Sequence, residues 1–179
     1  MKAKFISLIL LSLAFAACKK DKIEPIKENI IEMVANPNFS KENFKTDFTI
    51  QFPANYDGVG MVGFEGNMFS KARVDDKIAL DYRFCSPLYC NDFGSDLVNS
   101  NSTQISITDK NGQQILLTNR LNFGRNNSIE WIYFYNQSAQ TIGKLYGKQG
   151  NVYQEALSIN YENTLQNEVV DILKTIDKK

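Results

Sequence analysis

Histidine is missing from all 179 residues. Its absence removes Ser-His-Asp and Cys-His nucleophile systems, HExxH zinc sites, haem ligation through imidazole, and titration switches near neutral pH. Carboxylate-pair hydrolysis, lysine chemistry and oxygen-ligated calcium stay open. Net charge is missing too, with Lys plus Arg and Asp plus Glu at 20 each. Losing Lys2 and Lys4 with a leader would leave a slightly acidic mature chain, which argues against a nucleic-acid partner. Beyond the first 17 residues no apolar run reaches the roughly 18 residues of a membrane-spanning helix. The series Gly58, Gly60, Gly63, Gly66 lacks the Gly-Lys-Ser/Thr ending and the βαβ setting of a phosphate loop.

What is present describes an ordinary globular chain. Hydrophobic residues make up 43% and charged residues 22%, enough apolar material to build a core. Nineteen asparagines are many; sugar-binding surfaces use asparagine, but a bias toward Asn-bearing turns accounts for them more simply. Lys2 and Lys4 precede the apolar run Phe5 to Ala17. Thirteen helical residues at about 1.5 Å each span about 20 Å, short of a hydrocarbon core of about 30 Å. The length fits a signal h-region, not a permanent span.

Phe15-Ala16-Ala17-Cys18 resembles the lipobox of bacterial prolipoproteins, with small residues before a cysteine whose thiol takes a diacylglyceryl group. Phe15 departs from the leucine usual at that place. Ordinary cleavage after Ala14-Phe15-Ala16 also satisfies an A-x-A rule, but Lys19-Lys20-Asp21-Lys22 directly after Cys18 is the charged tether an anchored domain needs. Two or three acyl chains, as the resemblance implies, would hold where one chain binds only marginally. Lys19 in place of aspartate after the cysteine implies, by the same resemblance, sorting to the outer membrane, in either leaflet. The expected organisation is a leader over 1–17, acylated Cys18 with a polar tether over 18–24, and one globular domain over 25–179.

With Cys18 assigned to lipid, Cys85 and Cys90 remain as an even pair in an oxidising compartment. A disulfide across Cys85-Ser-Pro-Leu-Tyr-Cys90 would close a small ring, with a loop-entropy contribution of roughly 2 kcal/mol. The spacing is not CxxC. A soft metal site would need two further ligands that the chain lacks.

The element pattern predicts an α+β domain. Pro25 to Ala35 reads as a short helix ended by Asn36-Pro37, with Ile26, Ile30, Ile31 and Val34 on one face. Asn36 to Thr46 reads as loop. Alternation predicts strands at Phe48–Phe52, Val59–Phe64, Phe69–Val74 and Ile78–Phe84. Ile105 and Ile107, then Asp109-Lys-Asn-Gly112, then Ile115 to Leu117 form the strongest hairpin signal. Ile129 to Tyr135, apolar on both faces apart from Glu130, reads as a central strand. A second hairpin turns at Gly147 to Asn151 and leads into a last strand, Tyr153 to Tyr161. Thr164 is placed to cap a closing helix whose Leu165, Val169, Ile172, Leu173 and Ile176 share a face. The Phe48 to Pro53 strand, the late hairpin and the Glu168 to Ile176 helix resemble the α/β sandwich of PsbP-like extracytoplasmic proteins. That resemblance bears on fold alone.

The segment Cys85 to Leu97 is the leading candidate site: a disulfide there would stiffen a loop presenting Tyr89, Asp92, Phe93 and Asp96. The plainer reading is a staple for a long connection, and both can hold. Asp92 and Asp96 beside Asn91 offer oxygen ligands but do not match a calcium loop. Asp109 to Gly112 fails it as well, since Arg120 stands where the glutamate belongs. The row Trp131, Tyr133, Tyr135 fits core packing better than sugar stacking. These observations lead to a non-catalytic, cofactor-free and metal-free domain, held to a membrane by acyl chains and binding an envelope protein, a glycan or an apolar ligand. A histidine-free carboxylate hydrolase, and a carrier with a cavity beneath the closing helix, are the alternatives. Radiolabelled palmitate is expected to enter the protein, and Cys18→Ser is expected to abolish the label.

Overall fold

The computed structural model describes residues 29–44, 48–63, 66–83, 102–108, 111–126, 129–150 and 152–179. They form thirteen strands and one α-helix: β1 (Ile30–Ile31), β2 (Ser40–Phe44), β3 (Phe48–Phe52), β4 (Tyr56–Gly63), β5 (Gly66–Arg73), β6 (Ile78–Arg83), β7 (Ile105–Thr108), β8 (Gln114–Leu117), β9 (Asn119–Asn126), β10 (Ile129–Tyr135), β11 (Gln140–Gln149), β12 (Val152–Glu162), a 3-10 turn (Asn163–Leu165), α1 (Gln166–Leu173) and β13 (Asp177–Lys178). One sheet runs β1-β9-β10-β11-β12-β6-β5-β4, antiparallel except for the β1–β9 pair. A smaller sheet, β13-β3-β2, and the β7–β8 hairpin complete the set.

The alternation of Phe48, Ile50 and Phe52 holds, and all three are buried. They point from β3 into the large sheet. Phe48 meets Trp131 edge-on at 5.5 Å between ring centres, and Phe52 lies over Phe69 at 5.8 Å. Helix α1 adds Val169, Ile172 and Leu173 to the same layer, and Ile176 follows just beyond its end. On the opposite side, Ile105, Ile107 and Leu117 of the hairpin cover Ile132, Phe134 and Tyr146. Gly112 and Gly150 carry the positive φ that their hairpin turns require.

The expected α+β domain with an N-terminal helix is not what forms: strand predominates and the fold is β-rich. Residues 25–28 lie outside the described set. Ile30–Ile31 is a strand pairing parallel with Asn122 and Phe123, and no helix forms over Glu32–Asn36. Ile31 and Met33 turn toward the core while Ile30, Glu32 and Val34 are exposed, a period of two in place of 3.6. A short helix of β-branched residues is marginal on its own, and pairing along β9 satisfies the backbone instead. The closing helix does form, but Thr164 does not cap it. Thr164 lies within the 3-10 turn, and α1 starts after Leu165 without a side-chain cap.

Gly143 of β11 is set by packing. A Cβ there would fall on the Tyr133 hydroxyl and ring, far inside van der Waals contact, and Tyr133 is itself fully buried. Gly143→Ala is expected to destabilise the fold by roughly 2–3 kcal/mol, the cost of overpacking a dense core. Gly124→Ala, whose methyl would lie 3.5 Å from the nearest atom, the Ile31 carbonyl oxygen, is expected to be neutral or slightly stabilising. Urea midpoints at unchanged slope check both.

Candidate functional site

The large sheet has two unequal faces. One is covered along its length by β3, β2, β13 and α1. Among the described residues the other is covered by the hairpin, over β10 and the adjoining part of β11. Register identifies what the open part presents, because directly paired residues share a face. Lys144 pairs with Ser158, Ser158 with Asp81, and Asp81 with Ser70. The next row runs from Ile142, which packs against the hairpin cluster, through Asn160, Ala79 and Ala72 to Asp57. Alternate residues of the same strands (Leu157, Ile159, Tyr161, Ile78, Leu80, Tyr82 and Phe69) are buried on the covered side.

The open face is therefore small and polar. Lys144 Nζ donates to Ser158 Oγ at 2.8 Å, and Ser70 Oγ donates to Asp81 Oδ1 at 2.7 Å. Asp81 is exposed; Ser70, Ala72, Ala79, Lys144, Ser158 and Asn160 are half-buried. From β11 to β5 the patch crosses three strand spacings, about 14 Å. Its described positions offer hydroxyls, an amide, an ammonium and a carboxylate.

Two networks tie the covered side to α1. Tyr133 donates to the Tyr161 hydroxyl at 3.2 Å, and Tyr161 donates to Gln166 Oε1 at the start of α1. Gln166 Nε2 is buried and has no hydrogen-bond partner among the described residues. Tyr56 donates to Glu168 Oε1 at 3.0 Å, while Arg73 bridges Glu168 at 2.9 Å and Asp75 at 3.1 Å. Lys71, only 8% exposed, pairs with Glu42 of β2 at 3.1 Å. These contacts hold the layers together and face no cleft. A shallow open depression of about 520 Å³ lies beside Gln140, Glu162 and Asn163. Beneath α1 the described space is occupied by core side chains.

The lipidation and loop candidates, Cys18, Cys85, Tyr89, Cys90, Asp92, Phe93 and Asp96, all lie outside the described residues. The structure places the row on β10 in the core: Trp131 and Tyr133 are 1% and 0% exposed, and Tyr133 stacks on half-buried Tyr135 at 5.2 Å. Among the described residues no three Asp, Glu or Cys side chains converge as a metal site, and no helix is long and apolar enough to cross a membrane. The open face escaped the sequence reading. Its only signal is the polar half of each alternating strand, which any water-facing strand shares. No protein-family model, no curated protein and no solved structure matches the chain.

Burial pushes the Tyr82 and Tyr161 phenols from 10.0 up to about 12. Tyr133 is raised well above 10.0 by burial, with the Tyr161 hydroxyl adding to it. Tyr56 is raised by burial and by the Glu168 carboxylate beside it. Unfolded, each loses its proton near 10, so above that pH the unfolded state binds fewer protons than the fold. Their stabilising contribution is thus complete below pH 10 and is lost as pH rises through about 12. Phenolate absorbance is expected to show these tyrosines ionising together with loss of near-UV circular dichroism, and independently near pH 10 in urea.

Proposed function

We propose that this chain is a lipid-anchored, non-catalytic domain of the bacterial cell envelope, held to the outer membrane through acylated Cys18, whose open sheet face binds a protein partner. The observation that carries the reading is the half-covered second face of the large sheet. Four adjacent strands there present Lys144, Ser158, Asn160, Asp81, Ser70 and two alanines with no cover among the described residues. An ammonium and a carboxylate on the same row, each hydrogen-bonded to a serine hydroxyl, suit a protein surface. A glycan site of this kind would want an aromatic platform, and the three buried aromatics of β10, Trp131, Tyr133 and Phe134, are engaged in the core.

The Lys144–Ser158 hydrogen bond has the reach of a serine–lysine nucleophile pair, the histidine-free form of acyl-transfer chemistry. Its setting speaks against turnover. Ser158 is mid-strand in β12 with ladder partners on both sides, Lys144 and Asp81. Backbone N–H groups committed to a ladder cannot also stabilise an oxyanion, and that stabilisation is usually the largest catalytic contribution. The face is built to hold, not to react.

A photoreactive residue at position 79 is expected to form a discrete adduct in intact cells, whereas one at Val74, exposed in the β5–β6 turn, is not. Ala72→Arg is expected to remove the adduct without changing the thermal unfolding curve. Equal adducts at both positions, or none at either, would eliminate the open face as the binding surface.

A further inference from the structure

The chain enters the fold through Asn29 to Asn36, a strap along the sheet edge. Its backbone is fixed at several points. Ile30 and Ile31 pair with β9, the Val34 N–H donates to the Lys174 carbonyl at 2.9 Å, and the Asn36 N–H donates to Gln51 Oε1 at 2.7 Å. Ile31 and Met33 pack inward. The outward positions are Ile30, Glu32 and Val34, and two of these are large and apolar, with Ile30 67% and Val34 58% exposed. A strand with one face on a core normally carries polar residues on the other. The fixed backbone keeps these two side chains from turning inward.

The position of the strap says what covers it. Ten residues lie between Cys18 and Asn29, and the eleven steps from one to the other span at most about 40 Å when fully extended. A tether this short keeps the strap at a high effective concentration next to the bilayer, so a contact too weak to recruit free protein is populated once the protein is anchored. We propose that Ile30 and Val34 seat the strap edge in the interfacial layer of the bilayer that holds the Cys18 acyl chains. The inference rests on the lipid anchor proposed above. Glu32 between the two apolar residues keeps the contact at headgroup depth and favours zwitterionic over anionic lipid.

The seat also orients the binding face. In the sheet order β1-β9-β10-β11-β12-β6-β5-β4, β11 is three strands from the seated edge and β6 is five. At about 4.8 Å per strand, the open face begins about 14 Å from the edge and is centred some 20 Å away. An edge-on sheet thus holds Lys144, Ser158 and Asp81 clear of the headgroups and facing sideways along the membrane surface.

The test uses the acylated protein in phosphatidylcholine vesicles with brominated acyl chains, which quench indole fluorescence on contact. The chain's single tryptophan, Trp131, is 1% exposed and supplies a silent background. Val34→Trp is expected to be quenched several-fold more strongly than Val74→Trp, which places the same indole on the far side of the sheet order. Vesicle flotation is scored in parallel. Protein that floats with both indoles equally quenched or equally unquenched overturns the seat and leaves the anchor standing. Protein that fails to float overturns both. An indole at position 34 shielded from aqueous acrylamide without lipid, in proportion to protein concentration, overturns the seat in favour of a second copy of the chain.

Discussion

The fold depends on one strand having to be dry on both sides. In β10, Trp131 and Tyr133 point to one face and Ile132 and Phe134 to the other, and all four are at most 1% exposed. Side chains of that size contribute about 2–3 kcal/mol each when fully buried, so neither face can be left to water. Phe48, Phe52 and the residues of α1 cover the first. The β7–β8 hairpin covers the second, bringing Ile105, Ile107 and Leu117 onto Ile132, Phe134 and Tyr146. The single large sheet thereby becomes the middle layer of the molecule around β10 and an outer layer elsewhere.

The open face follows from the size of that hairpin. Two four-residue strands cover little more than the width of β10 and its neighbour. Farther along, the described positions of the second face are small or polar: Ala79 and Ala72, Ser70 and Ser158, Asn160. The boundary runs beside β11, where Tyr146 belongs to the hairpin cluster and Ile142 packs against it, while Lys144 between them reaches across to Ser158 of β12. The covered face is polar only where it ties layers together. Glu168 of α1 receives both Tyr56 and Arg73, and Lys71 meets Glu42. Each charge there has a partner, as the cost of burying it demands.

Strands with a strong apolar signal were legible. β3 and β6 alternate cleanly, β10 is apolar on both faces, and Gly112 closes a hairpin where Asn-Gly predicts one. What escaped is what tertiary context decides. β2, Ser-Lys-Glu-Asn-Phe, is an edge strand whose pairing with β3 needs no apolar pattern. β9 buries only Asn122 and Phe123 fully among its described side chains, and its asparagines and glycine disguise it as loop. Ile30, Ile31 and Val34 fit a helical period as well as a strand, and the free edge of β9 chose between them. The proposed binding face was hidden for a different reason. Water-facing and partner-facing positions draw on the same residue types, and only the limited extent of the β7–β8 cover separates them.

The limits of the cover also explain why the two ends of the sheet order serve different purposes. A long sheet edge left unpaired invites association with other chains. At the β9 edge the strap blunts that hazard by pairing two residues in parallel and then leaving the ladder to meet Lys174. The remedy is itself apolar on its outer side, which would be a poor choice for a protein diffusing freely in water. On the proposed lipid anchor the same choice becomes favourable, because the exposed isoleucine and valine would have a low-dielectric layer within reach and the anchor would already have met most of the entropic cost of approaching it. In that proposal the edge closed by the strap is the one brought to the membrane, and the face left uncovered among the described residues is the one held away from it.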